Sequence, residues 1–98
     1  MDVAFANVKW ERLETDPDFQ AGFGPSVVKS YRRRMQQLRA AHDERDLYAL
    51  KALHFEKLKG KRSHQRSIRL NDQWRLILEI IPGKPKNTIR IVGIEDYH

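Results

Sequence analysis

Apolar residues along the first half of the chain change their spacing several times, and each change marks an element. Val3 to Ala6 reads as a short strand, and Asn7 behind it can cap a brief helix that carries Trp10 and Leu13 on one side. Pro17 stops that helix. Gly24-Pro25-Ser26 opens the clearest helix of the chain, where Val28, Tyr31, Met35, Leu38 and His42 recur at steps of three and four and form one stripe against a core. Lys29, Arg32, Arg33 and Gln36 occupy its other face, most simply a solvated one. Glu44 to Leu53 is a weaker, partly helical connection with Leu47, Leu50 and Leu53 three apart.

From His64 the period becomes two. Ile68 and Leu70 alternate with Ser67, Arg69 and Asn71, and Trp74, Leu76 and Leu78 alternate with Gln73, Arg75 and Ile77, which predicts two strands. Asn71-Asp72 tolerates positive φ and suits a tight hairpin between them. Pro82-Gly83-Lys84-Pro85 makes the next reversal, before a strand from about Thr88 that holds Ile89, Ile91, Val92 and Ile94. The expected fold class is α+β, with an N-terminal strand and helices packed on a C-terminal antiparallel sheet, in one domain spanning residues 1–98. Alternation sends Arg69 and Arg75 away from the face that buries Ile68, Leu70, Trp74 and Leu76, so the sheet keeps a second face for polar work.

Charge sharpens that picture. The chain of 98 residues carries a formal net charge of +6, which points to a polyanionic partner. Its distribution is uneven: Lys57, Lys59, Lys61, Arg62, Arg66, Arg69 and Arg75 face a lone acid, Asp72, within that stretch, while Asp2, Glu11, Glu14, Asp16 and Asp18 crowd the start. A phosphate-binding surface fits this pattern, against the plainer reading of a solvated positive face. The absence of cysteine excludes disulfides and thiolate metal sites. No apolar run approaches the roughly 18 residues that span a bilayer, and Met1-Asp2-Val3 lacks the basic start of a secretory signal, so a cytoplasmic protein is expected. The histidines are scattered and no carboxylate pair has ligand spacing, so neither a metal nor another cofactor is expected.

The strand from Thr88 leads into Asp96, Tyr97 and His98, which place an acid, a phenol and an imidazole after an apolar run. With the basic block, that tail suggests an RNA-cleaving site.

Three segments in order, Leu58-Lys59-Gly60, Ser67-Ile68-Arg69-Leu70-Asn71-Asp72-Gln73-Trp74-Arg75 and Glu95-Asp96-Tyr97-His98, resemble the HigB branch of the RelE/ParE toxins. The match is close over the second half of the chain and only in outline over the first. The resemblance implies the toxin of a toxin–antitoxin pair, a ribosome-dependent endoribonuclease that cuts messenger RNA and is neutralised by a HigA-like helix-turn-helix antitoxin. Lys59 directly precedes Gly60 and matches the motif lysine. His54 lies five residues before it, whereas the family's histidine stands three before its lysine.

Cutting RNA without a metal requires a base for the 2′-hydroxyl, cations on the phosphate and an acid for the departing 5′-oxygen. Lys59 and Arg75 are the expected transition-state cations. Asp96 and His98 are the proton-transfer candidates, with no unique division into base and acid, and Tyr97 can stack on a base or bond the phosphate. His54 completes the catalytic set carried by the resemblance, and Lys57, Lys61, Arg62, Arg66 and Arg69 are the expected RNA-binding residues. Plainer roles stand beside these: Tyr97 as edge packing, Asp96 as a surface partner of Arg75, His98 as a frayed end, Arg69 in a cross-strand ladder, Trp74 and Tyr31 as core. A gyrase inhibitor or a noncatalytic RNA binder of the same fold is the competing function.

Overall fold

The computed structural model describes residues 1–96. Its elements are β1 (Asp2–Phe5), α1 (Val8–Thr15), α2 (Pro25–Ala40), α3 (Glu44–Ala49), β2 (Glu56–Lys57), β3 (Gln65–Arg69), β4 (Trp74–Ile81) and β5 (Thr88–Asp96), with 3₁₀ turns at Lys51–Leu53 and Gly60–Arg62. This is the expected α+β arrangement with a larger sheet. The strands lie in the order β1-β5-β4-β3-β2, so the anticipated meander of β3, β4 and β5 gains a strand at each edge. β2 pairs antiparallel with β3, and β1 pairs parallel with β5, Val3 opposite Ile89 and Phe5 opposite Ile91. A parallel pair needs a long crossover, and here nearly the whole chain supplies it.

Local chemistry accounts for the helix ends. The Asn7 carboxamide accepts the Lys9 backbone N–H at 2.9 Å and starts α1. Pro25 enters α2 in its first turn, where a missing N–H costs nothing. α2 buries Val27, Val28, Tyr31, Met35 and Leu38. The helix stops at Ala40, so His42 does not extend the stripe; it is exposed, and its backbone N–H donates to the Asp46 carboxylate at 2.8 Å. At the same helix end the Met1 ammonium donates to the Leu38 and Arg39 carbonyls at 3.2 and 2.9 Å, filling acceptors that a helix C-terminus leaves open. Leu47 and Leu53 are fully buried but Leu50 is 41% exposed, because α3 ends at Ala49 and a 3₁₀ turn with a different period follows.

The arginines of α2 are not simply a solvated face. Arg32 reaches back to the end of α1 and donates to the carbonyls of Leu13 (3.1 Å), Asp16 (2.8 Å) and Phe19 (3.3 Å). Arg34 donates to the Arg69 carbonyl at 3.1 Å and so ties α2 to β3. Arg33 is exposed.

Between helices and sheet lies the core of Leu13, Tyr31, Met35, Leu38, Ile68, Leu76, Leu78, Ile89 and Ile91, each fully buried. The Tyr31 hydroxyl donates to the Trp10 carbonyl at 2.7 Å, and burial raises its pKa above the ordinary phenol range, so it stays neutral. Trp74 packs edge-on against Phe23, ring centroids 5.4 Å apart. The β3–β4 turn is closed by the Asn71 side chain, which accepts the backbone N–H groups of Gln73 and Trp74 at 2.8 Å each. Neither Asn71 nor Asp72 adopts the positive φ expected there; the side-chain bonds hold the turn instead.

One irregularity sets what the open face displays. Ile89 and Ile91 point into the core, and in an unbroken strand positions 93 and 95 would follow them inward. Ile77 pairs with Gly93 but Leu78 pairs with Ile91, so Val92 is skipped in a bulge. The bulge offsets the alternation by one, Ile94 packs on the core, and Glu95 turns to the opposite face.

Candidate functional site

The face of the sheet away from the helices holds a cleft of about 210 Å³ lined by Leu58, Arg62, Ser67, Arg75, Ile77, Glu95 and Asp96. Ser67, Arg75 and Ile77 alternate with core residues of β3 and β4 and form its floor, and all three are buried. Leu58 and Arg62, from the β2–β3 connection, wall one side. Glu95 and Asp96 of β5 wall the other.

Arg75 is 8% exposed, an unusual setting for a guanidinium, which stays charged at any accessible pH and must be compensated where it is buried. Its Nη1 donates to the His54 carbonyl at 3.3 Å. Its register neighbours are Arg69 on β3 and Glu95 on β5. Two arginines directly opposite on adjacent strands repel. Arg69 relieves this by pairing with Asp72 in its own hairpin, and Glu95 stands on the other flank.

His54 therefore meets the cleft through its backbone. It ends the Lys51–Leu53 turn in the left-handed region at φ 46°, which aims the carbonyl at Arg75, while its residue as a whole is exposed. Gly60 lies in the same region at φ 65°, where a side chain is strained. That is the local reason for a glycine after Lys59, since the chain must reverse there to bring Arg62 back over the sheet. Lys59 itself is exposed and precedes the Gly60–Arg62 turn, bracketed by the two cleft residues Leu58 and Arg62. Asp96 sits at the cleft rim, opposite Trp74 in register, and accepts from Gln73 Nε2 at 3.0 Å. The expectations on Tyr97 and His98 lie outside the described residues.

The expected RNA-binding residues divide into two kinds. Lys57 and Lys61 are exposed on the β2–β3 hairpin and form no ion pair among the described residues. The arginines are engaged within the protein. Arg66 donates to the carbonyls of Ser63 and Gln65 at 3.1 and 3.2 Å and lies 3.9 Å from the Glu44 carboxylate. Arg69 is held by Asp72. Arg62 forms a two-pronged pair with Glu95, at 2.9 and 2.6 Å, and its Nε donates to Gln65 Oε1 at 2.9 Å. The Glu95 bond raises the Arg62 pKa further.

Glu95, Ser67, Ile77 and Leu58 are cleft residues to which sequence reasoning gave no role in the site. For Glu95 a signal existed in the broken alternation of Ile91-Val92-Gly93-Ile94, which marks a bulge and with it a change of face. A larger concavity, about 520 Å³ between β1 and α1, is lined by Val3, Val8, Glu11, Glu14 and Arg39 among others. It contains none of the expected residues and its lining carries more acid than base. Among the described residues no three His, Asp or Glu side chains gather as a metal-ligand set, and no helix is long and apolar enough to cross a membrane.

A helix-backed mixed sheet, with a cleft on its open face lined by two arginines and two carboxylates, is a fold shared with small toxins of known structure. The chain aligns over its whole length with a YoeB/ParE toxin from Agrobacterium tumefaciens, covering 100% of that chain, at 13% identity and a TM-score of 0.61. It also aligns over its whole length with a YoeB dimer from Staphylococcus aureus, covering 97% of that chain, at 17% identity and a TM-score of 0.54. At identities this low the structural likeness shows the fold alone. The family follows from the sequence itself: residues 3–97 match the model of the RelE-like toxin of type II toxin–antitoxin system HigB, and the chain belongs to that family. Membership implies an antitoxin partner. Nothing among curated proteins matches the chain.

Proposed function

We propose that this toxin is a ribosome-dependent endoribonuclease that arrests translation by cutting messenger RNA, acting as one domain over residues 1–98 in the cytoplasm. The observation that carries this reading is Arg75, a buried guanidinium on the floor of a cleft with Asp96 at its rim and the Lys59 loop beside it. Arg75 offers two parallel N–H donors to the nonbridging oxygens of a phosphodiester. The low-dielectric floor strengthens that interaction as charge accumulates in the transition state. Lys59, on a loop pinned at both ends by cleft residues, swings in as a second cation. Asp96 and His98 exchange protons with the 2′-hydroxyl and the 5′-oxygen, and Tyr97 holds the nucleotide. Lys57 and Lys61 hold neighbouring phosphates, and Arg66 and Arg69 support the surface that carries them. His54 contributes by aiming Arg75 through its carbonyl. A HigA-like helix-turn-helix protein is the proposed antitoxin.

A purified translation system tests this. Wild-type protein is expected to cut ribosome-bound messenger, and His98→Ala to lose at least about tenfold activity, below the usual contribution of a proton-transfer group. Intact messenger with accumulating DNA breaks in a supercoiling assay would instead make the chain a gyrase poison. Equal cutting by both proteins would remove His98 from the chemistry.

A further inference from the structure

We propose that Glu95 is a positioning residue that occupies the phosphate fork of Arg62 until RNA displaces it. The inference deepens the phosphate-cleft reading above and rests on it.

Arg62 and Glu95 are 33 residues apart in sequence. Arg62 comes from the Gly60–Arg62 turn in the β2–β3 connection, and Glu95 from β5, so their pair crosses the open face over β3 and β4, where Ser67, Arg75 and Ile77 form the cleft floor. The contact is end-on. Nη1 meets Oε1 at 2.9 Å and Nη2 meets Oε2 at 2.6 Å, while Nε is held from behind by Gln65 at 2.9 Å. Gln65 thus fixes the plane of the guanidinium, and the fork faces the cleft's opposite wall. Two carboxylate oxygens present nearly the geometry that two nonbridging phosphate oxygens would present to the same fork.

Three features favour exchange over a permanent brace. Both side chains are close to half exposed, 45% and 46%, and an ion pair in contact with water is worth little. A phosphate seated over Arg75 arrives beside Glu95, the register partner of Arg75, and repels that carboxylate while attracting Arg62. Without RNA, Arg62 and Arg75 line one small cleft, and Glu95, bonded to Arg62 and opposite Arg75 in register, offsets their mutual repulsion. The carboxylate faces this way only because the β5 bulge turns it outward.

The test is a double-mutant cycle read by binding of a noncleavable 2′-deoxy oligonucleotide as salt is varied, on wild type, Glu95→Gln, Arg62→Gln and the double variant. Exchange predicts that Glu95→Gln tightens binding by about fivefold, roughly one charge-assisted contact no longer competed for. It predicts that Arg62→Gln flattens the salt slope by about 0.7, one single-strand phosphate contact. It predicts that Glu95→Gln tightens binding by less than about twofold once Arg62 is gone, the remainder due to plain charge repulsion. Equal tightening by Glu95→Gln in both backgrounds would make Glu95 a general repulsive charge and overturn the proposal. Weaker binding by Glu95→Gln, with a lowered melting temperature, would make the pair a structural brace and also overturn it. Oligonucleotide binding does not require cutting, so a protein that completes this cycle yet leaves ribosome-bound messenger intact would keep the exchange and lose the nuclease reading.

Discussion

The two faces of this sheet are built from the same strands and share almost nothing in chemistry. On the helix side Ile68, Leu76, Leu78, Ile89 and Ile91 are fully buried among aliphatic neighbours. On the other side, at the alternate positions of β3 and β4, lie Ser67, Arg75 and Ile77, also nearly inaccessible but roofed by a loop and an ion pair instead of helices. Burial on the first face removes apolar surface from water and stabilises the fold. Burial on the second desolvates a charge, which costs stability and strengthens any anion contact made there. The fold is held from one side, and the cleft opens on the other.

The largest expected effect is on the open face. Arg75→Gln should lower cleavage of ribosome-bound messenger by about a hundredfold or more, the scale on which removing a preorganised transition-state donor acts. Urea unfolding should barely move, because the variant removes a buried charge along with its bonds. Were Arg75→Gln to unfold the protein as readily as a core truncation, Arg75 would be part of the scaffold and the division between faces would fail.

Leu76→Ala supplies the matching perturbation on the neighbouring residue, pointing the other way. Truncating a fully buried leucine costs about 3 kcal/mol from lost transfer energy and the cavity left behind. Equilibrium urea titration measures that loss, and oligonucleotide affinity of the folded fraction should stay within about twofold, since the Leu76 side chain lies on the face of β4 opposite the cleft. A parallel fall in affinity would mean that the core and the cleft are coupled through β4.

How far the sequence anticipated this comparison depends on the range of the interactions involved. Alternation in β3 and β4 assigned Arg75 and Leu76 to opposite faces correctly, because a period of two is a local property. The Gly24-Pro25 start and the Val28-to-Leu38 stripe of α2 were equally plain. What stayed hidden is nonlocal. β2 is two polar residues, Glu56 and Lys57, and is a strand only because β3 is beside it. β1 was visible as a strand, but its parallel partnership with β5 joins the two ends of the chain. Counting charges by position made residues 57–75 look uniformly cationic, whereas Arg62 finds its carboxylate on β5 and Arg66 lies near Glu44. His42 and Leu50 continue a spacing past the points where the helices stop, and spacing carries no mark of that stop. Of the residues named from the sequence, Arg62, Arg75 and Asp96 line the cleft, while the Arg62–Glu95 pair required the bulge at Val92.

The smallest effect separates the helical layer from the open face by pH. Asp43 caps α3 by accepting the Arg45 backbone N–H at 2.8 Å and pairs with the Arg45 side chain. These bonds, the side-chain one first, hold its carboxyl down from 3.8 to about 2. A carboxyl whose folded pKa is depressed binds its proton more tightly in the unfolded chain, so its contribution is complete above 3.8 and is lost as pH falls toward 2. On the open face Glu79 is lowered in the same direction, first by the Gln65 side chain and then by Arg90. Both side chains are in partial contact with water and each contribution is small. Asp43→Asn should flatten the decline of melting temperature between about pH 4 and 2 while leaving the wild-type curve above about pH 5 almost unchanged, apart from a constant offset for the altered cap. Glu79→Gln should act as pH falls below 4.5 and, unlike Asp43→Asn, should also change the salt dependence of oligonucleotide binding, because Glu79, and not Asp43, adds a negative charge to the face that carries Arg75. Identical salt profiles for the two variants would place Glu79 outside the reach of the bound phosphates and confine the functional surface to the cleft itself.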